Sequence, residues 1–512
     1  MRRRSAWPTV LAIVPAMVAT QTLAHGTGDR YDLPLPLSYY VVGSALIVAL
    51  SFAVMAIFVY RAPRSGRYPY LELLHLRDGR GSPLCALKGV LHIIGVLVLA
   101  GTITAGLFGN QHPAKNLAPT LIWVAWWVGL ALFVALVANV WPALNPWNTL
   151  SRWSGWGASP ALSAYPRGLA EWPAVCALFG FVWIELVSPY AANPRVLAFL
   201  ALAYTVVTMV AMRIYGREVW LSHGEAFTFL FGLLGGFAPL ALLSASQFTT
   251  VRKAYRIRTL VLRPPGAGLL GKELASDAVV AFLLLMLSAV LFDGLLGTAF
   301  WRAIEKWFPG DPEGIIAATS GLVGIWLVFL AAYLGACGAM TVMTGGGHTP
   351  ISIQSHRYAL SLVPIAIGYA IAHNFSYLLV QSQSLVALAS DPLGVGWNLF
   401  GTSGYEPNVD LVDARTTWRI AITAIVVGHV VSLVLAHHIA LRTESTRYSA
   451  VRGLVPLTLL MVAYTAVSLS IIADPLVRFR VPDPDYSGPS YRPMQPSQFV
   501  YLRTSFAPVE GF

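Results

Sequence analysis

The sequence predicts an all-α, polytopic membrane protein, with about ten spanning helices behind an N-terminal signal peptide and one segment that re-enters. Three observations predict it. Of 512 residues, 56% are hydrophobic and 11% charged, where a soluble domain carries about 25% charged residues. Apolar runs of ~20 residues, each long enough to cross a ~30 Å hydrocarbon core, recur from end to end. Arginine and lysine concentrate in alternate connecting loops, the pattern that membrane insertion selects. The formal charge of +11 belongs to those loops and not to a nucleic-acid-binding face, so no nucleic-acid partner is expected.

The organisation reads in order as a signal peptide at 1–24, a multi-pass domain at 25–473 and an extracytoplasmic irregular tail at 474–512. Arg2, Arg3 and Arg4 form a positive n-region, Ala6 to Ala19 a short apolar stretch, and Thr22-Leu23-Ala24 a small-residue cleavage site. Spans follow at 38–60, 89–108, 118–138, 172–190, 196–216, 278–300, 315–337, 358–380, 416–438 and 453–473. A further apolar segment, 224–245, is placed by charge. With residue 25 outside, the loops 61–88 (Arg61, Arg64, Arg67, Arg77, Arg80, Lys88) and 246–277 (Arg252, Lys253, Arg256, Arg258, Arg263, Lys272) both belong inside. That requires 224–245 to enter and leave on one side. Gly232, Gly235, Gly236 and Pro239 interrupt it near its middle, where helix propensity is lowest. The tail, rich in Pro, Tyr and Ser, follows the last span and ends outside. The expected location is a bacterial inner membrane, with both termini extracytoplasmic and the lipid bilayer as the main partner.

Ionisable groups inside apolar spans cost several kcal/mol unless paired or hydrated, so each is a functional candidate. They are His92, Glu185, Asp293, His373, His429, and His437 with His438 at a helix end. Glu185, Asp293 and His373 each lie about 13 to 15 residues from the cytoplasmic start of their spans, roughly 20 Å up at 1.5 Å per residue. Two carboxylates and an imidazole at one level suit a divalent metal or a general base. Tyr369 and Tyr377 flank His373 at four residues on either side, on one helix face, with Asn374 beside it. The bland alternatives stay open: Asp293 also suits an arginine partner or a kink at Gly294, and His92 a backbone carbonyl.

Cleavage after Ala24 would expose His25 as a new N-terminus, whose amine and imidazole suit Cu(II), with His112 a further donor. Cys85, Cys176 and Cys337 are isolated, which argues against a disulfide framework or thiolate cluster. No GxSxG, P-loop or HExxH occurs. Gly345-Gly346-Gly347-His348 reads as a helix connector.

The order of several stretches resembles the fenitrothion hydrolase family of bacterial integral membrane proteins. These are Arg30–Tyr40 (RYDLPLPLSYY), Asn116–Gly129 (NLAPTLIWVAWWVG), Asn139–Leu150 (NVWPALNPWNTL), Trp220–Phe227 (WLSHGEAF), Phe292–Trp301 (FDGLLGTAFW), Ser361–Leu379 (SLVPIAIGYAIAHNFSYLL), Ser390–Thr402 (SDPLGVGWNLFGT), Gly428–His437 (GHVVSLVLAH) and Leu460–Thr465 (LMVAYT). The resemblance implies hydrolysis of aryl dialkyl phosphorothioates, small apolar organophosphates, with release of a nitrophenol. A divalent metal of unspecified identity would serve that chemistry by acidifying water. On that reading His373, His429 and Asp293 are expected as metal ligands or, with Glu185, as catalytic groups. Tyr369, Tyr377 and Trp397 would line an aryl pocket. His438 departs from the pattern, where an acidic residue often follows the first histidine. The alternatives are a transporter, or a metal- or copper-handling membrane subunit that needs a second protein.

Overall fold

The computed structural model describes residues 36–59, 70–79, 81–156, 160–244, 257–270, 275–344 and 349–477. The signal peptide 1–24, His25, the Gly345–His348 connector and the tail beyond residue 477 lie outside them. Nine helices among the described residues are long and apolar enough to cross a membrane. They are α1 (Leu37–Phe58), α2 (Pro83–Phe108), α3 (Leu117–Leu136), α7 (Pro194–Tyr215), α10 (Asp277–Leu296), α12 (Ile315–Met343), α13 (Ile351–Gln381), α15 (Ala414–Thr443) and α16 (Arg447–Ala473). The all-α, polytopic architecture is therefore present. Helical winding of α16 continues to Val477, past the expected start of the tail at 474.

Between these lie short helices: α4 (Trp141–Leu144), α5 (Pro146–Trp153), α6 (Trp172–Leu186), α8 (Arg217–His223), α9 (Ala226–Phe237), α11 (Ala299–Glu305) and α14 (Ser384–Ser390). The span expected at 172–190 is the 15-residue α6, roughly 22 Å long. Local sequence starts the helices. Ser82, Asn193, Ser276 and Asp413 each turn a side-chain oxygen onto an N–H of the first turn of α2, α7, α10 and α15. Pro83 and Pro194 occupy first-turn positions where no N–H is needed.

A small antiparallel sheet, ordered β1-β3-β2, went unforeseen. It joins β1 (Leu71–Arg77), β2 (Leu240–Ser244) and β3 (Ile257–Leu262), with Arg77 opposite Ile257, and Leu240 and Leu71 both opposite Leu262. Because β1 and β3 come from the two basic loops, their pairing puts both loops at one end of the bundle, as the charge pattern requires.

Segment 224–245 does not cross as a helix. It forms α9, which starts at Glu225, 0% exposed, and stops after 12 residues, about 18 Å. The chain turns at Ala238-Pro239 into β2. The glycines do not break the helix as expected. A Cβ on Gly235 or Gly236 would meet Asn139 or Leu269 at 2.6 Å, so these two positions admit close neighbours. Arg263 holds the helix end, donating from Nε to Ala238 O (3.0 Å) and from Nη2 to Gly235 O (2.8 Å). Such backbone at membrane depth survives only because protein covers it.

α10 forms the centre. From Ala278 to Phe292 it is buried at every residue but Val290. α13 and α15 cross closely: a Cβ on Gly368 would lie 2.5 Å from Ala424 O, and one on Gly428 2.6 Å from Pro364 O.

Candidate acid–base site

Asp293 stands near the C-terminal end of α10, Glu185 at the last turn of α6 and His373 in the second half of α13. Asp293 is 16 residues past Asp277, so roughly 24 Å from the end of α10 that follows the sheet. The site is therefore far from the basic loops.

His373 Nε2 and Asp293 Oδ2 are 2.7 Å apart. The His373 side chain is 7% exposed and that of Asp293 26%. A carboxylate only accepts, so in the neutral ring Nε2 carries the proton and Nδ1 keeps the lone pair. Glu185 lies within electrostatic reach of Asp293 and of the Trp127 indole N–H. Asp293 and His373 thus meet, with Glu185 within electrostatic reach of Asp293, and Asp293 has an imidazole partner in place of arginine. Trp127 was not foreseen. It sits in a π-helical stretch of α3, Thr120–Leu130, a winding that recurs at functional sites.

The other expected residues separate. Tyr369 stacks near His373, with ring centroids 6.2 Å apart. It is 1% exposed, packed among Leu291, Ala372 and Trp418, so it supports the histidine ring from within the core and does not line an open pocket. Tyr377 is half-buried one turn beyond His373. Trp397 is 46% exposed on the loop between α14 and α15. His429 is fully enclosed on α15, with Nδ1 2.8 Å from Ile425 O and its ring 5.7 Å from that of Tyr464.

The expected metal set therefore does not assemble. Among the described residues no three His, Cys, Asp or Glu side chains come together in a way that would hold a metal ion. Asp293 and His373 bond each other, and His429 faces a tyrosine.

One buried carboxylate was missed. Glu225 caps α9, accepting from Tyr204 Oη (2.6 Å), Phe227 N (3.0 Å), Thr228 N (2.7 Å) and Thr228 Oγ1. Thr228 Oγ1 in turn accepts from Trp141 Nε1 (3.0 Å) and Asn145 Nδ2 (2.9 Å). The signal was present: an acidic residue immediately before an apolar run is a helix start. Beside this network lies an apolar cavity of about 780 Å³ between α2, α3, α6 and α7, with Trp126, Trp147, Phe181 and Phe227 in its walls. On α3 and α6, Trp126 and Ile184 face the cavity, whereas Trp127 and Glu185 face the acid–base cluster.

No family model matches the chain, nor does any curated protein or solved structure.

Proposed function

We propose that this is a membrane-embedded hydrolase of apolar aryl phosphorothioate triesters, with the Asp293–His373 pair as its general base. The observation that carries the proposal is the 2.7 Å carboxylate–imidazole contact, which fixes the ring and leaves Nδ1 as the proton acceptor. Asp293 holds the Nε2 proton and balances the charge that develops on the ring. His373 Nδ1 takes a proton from water as the water oxygen bonds to phosphorus. The P–O(aryl) bond breaks with its electron pair on the phenolate, which receives that proton from the imidazolium. The net change is water plus triester to dialkyl thiophosphoric acid plus phenol. Glu185, beside Asp293, adds a second acid within the cluster.

Access supports the enzyme over a transporter. Asp293 is partly exposed, while α10 is buried from Ala278 to Ala289. The carboxylate of the pair is thus reachable, while the helix that carries it is packed in protein over most of its length. The aromatic cavity borders lipid through Ile94, Val98, Leu200 and Val207, all at least one-third exposed. It offers an apolar ester in the bilayer a point of entry, across α3 and α6 from the cluster, with neither Asp293 nor His373 in its walls.

The test is nitrophenol release from fenitrothion by the purified full chain in detergent. Release abolished in His373→Ala at equal folded protein supports both enzyme and site. Equal release by the variant keeps the enzyme and moves the site. No release from folded wild type in detergent, with substrate uptake into sealed vesicles, would replace the proposal with transport.

A further inference from the structure

Behind the Asp293–His373 pair, several buried polar atoms have no protein partner. Tyr369 Oη and His429 Nε2 make no hydrogen bond, and both residues are 1% exposed. Between them stands Tyr464, within electrostatic reach of Tyr369 and ring to ring with His429. Its hydroxyl and that of Ser468, one turn along α16, sense each other but lack a hydrogen bond of ordinary geometry. The tautomer of His429 sharpens the problem. Ile425 O can only accept, so Nδ1 carries the proton and Nε2 is a bare acceptor with no donor.

Leaving a buried polar group unpaired is costly, and four in one place would remove a large fraction of a protein's net stability. Proteins resolve this with buried water, which settles where two to four polar groups surround it. We infer that a small cluster of ordered water occupies the space between Tyr369, Tyr464, Ser468 and His429 and bridges them. Tyr369 reaches the pair at its other side, since its hydroxyl is within electrostatic reach of Asp293 and a Cβ on Gly294, the next residue, would lie 2.7 Å from it. The cluster therefore runs from the acid–base site inward to His429, whose free Nε2 accepts a hydrogen bond from that water. The inference goes beyond hydrolysis and needs no substrate to be tested.

The experiment is X-ray radiolytic labelling of the full chain in detergent, read by mass spectrometry, because radiolysis of bound water oxidises adjacent side chains even where bulk solvent is excluded. Tyr369 and His429 are expected to label severalfold faster than the equally buried Phe282 and Tyr333, whose hydroxyl is bonded to Ser355 O. Rates equal to those controls would show a dry core and overturn the inference. Tyr369→Phe with Tyr464→Phe removes two hydroxyls, and labelling at His429 is expected to fall severalfold. Unchanged labelling there would disprove a shared cluster. Should that variant not fold, His429→Phe read at Tyr464 makes the same comparison.

Discussion

Placing a methyl group on Gly428 is expected to force α13 and α15 apart. The added Cβ would sit 2.6 Å from Pro364 O and 3.2 Å from Gly368 Cα, where ordinary contact begins at 3.4 Å. Both obstacles are backbone, so no side chain can swing away, and the helices must separate by most of an ångström or tilt. Overpacking of this kind costs about 1–3 kcal/mol. Gly101→Ala on α2 and Gly335→Ala on α12 are the controls, because nothing lies within 4 Å of a Cβ at either position. There the better helix propensity of alanine predicts no loss, or a gain of up to ~1 kcal/mol. The two classes should thus differ by about 1–4 kcal/mol in reversible unfolding by SDS, read as fraction folded from the helical signal. The separation also displaces α13, which carries His373, relative to Asp293. A misplacement near 1 Å at the reacting groups costs about a hundredfold in rate, so nitrophenol release should fall with stability. Gly428→Ala unfolding together with the controls would refute the close crossing and the account of how the pair is positioned.

Asp293→Asn keeps size and loses the charge that fixes the His373 tautomer, so kcat for nitrophenol release should drop by about 10²–10⁴-fold while the far-UV spectrum stays unchanged; a loss under threefold, on the order of half a kcal/mol, would refute the base assignment. Glu225→Ala strands the Tyr204 and Thr228 donors in the core and should cost about 3 kcal/mol or more in the same unfolding assay. Wild-type behaviour in that variant would show that the cap carries no stability. Outside the membrane, the Lys88 ammonium hydrogen-bonded to Asp78, with Arg258 beside it, holds the Asp78 carboxyl below its ordinary range. A lowered folded pKa means the contribution is complete above about pH 3.9 and is lost as pH falls through the folded value. Wild type should therefore exceed Asp78→Asn by up to ~1 kcal/mol at neutral pH and converge with it only below about pH 4. A difference that grows on acidification would contradict the sign.

The membrane class, nine of the expected spans with boundaries to within about seven residues, and the shared side of the two basic loops were legible in the chain, because each depends on local hydropathy and loop charge. So was the common depth of Glu185, Asp293 and His373, since a helix converts residue number into height. Helix rotation was not legible. Which faces meet depends on packing between distant segments: the Gly368–Gly428 contact turns His373 toward Asp293 and leaves His429 behind Tyr464, which dismantled the expected metal set. The sheet was missed because β1 and β3 are short strands far apart in sequence, stabilised by each other. Segment 224–245 shows the division well. Charge placed its two ends together, but the helix break falls at Pro239 and not at its glycines. The glycines are held helical by the close neighbours they admit, and Arg263 and Glu225 satisfy the backbone at the two ends. Composition and periodicity are properties of one helix, whereas a site is a property of how several helices are turned against one another.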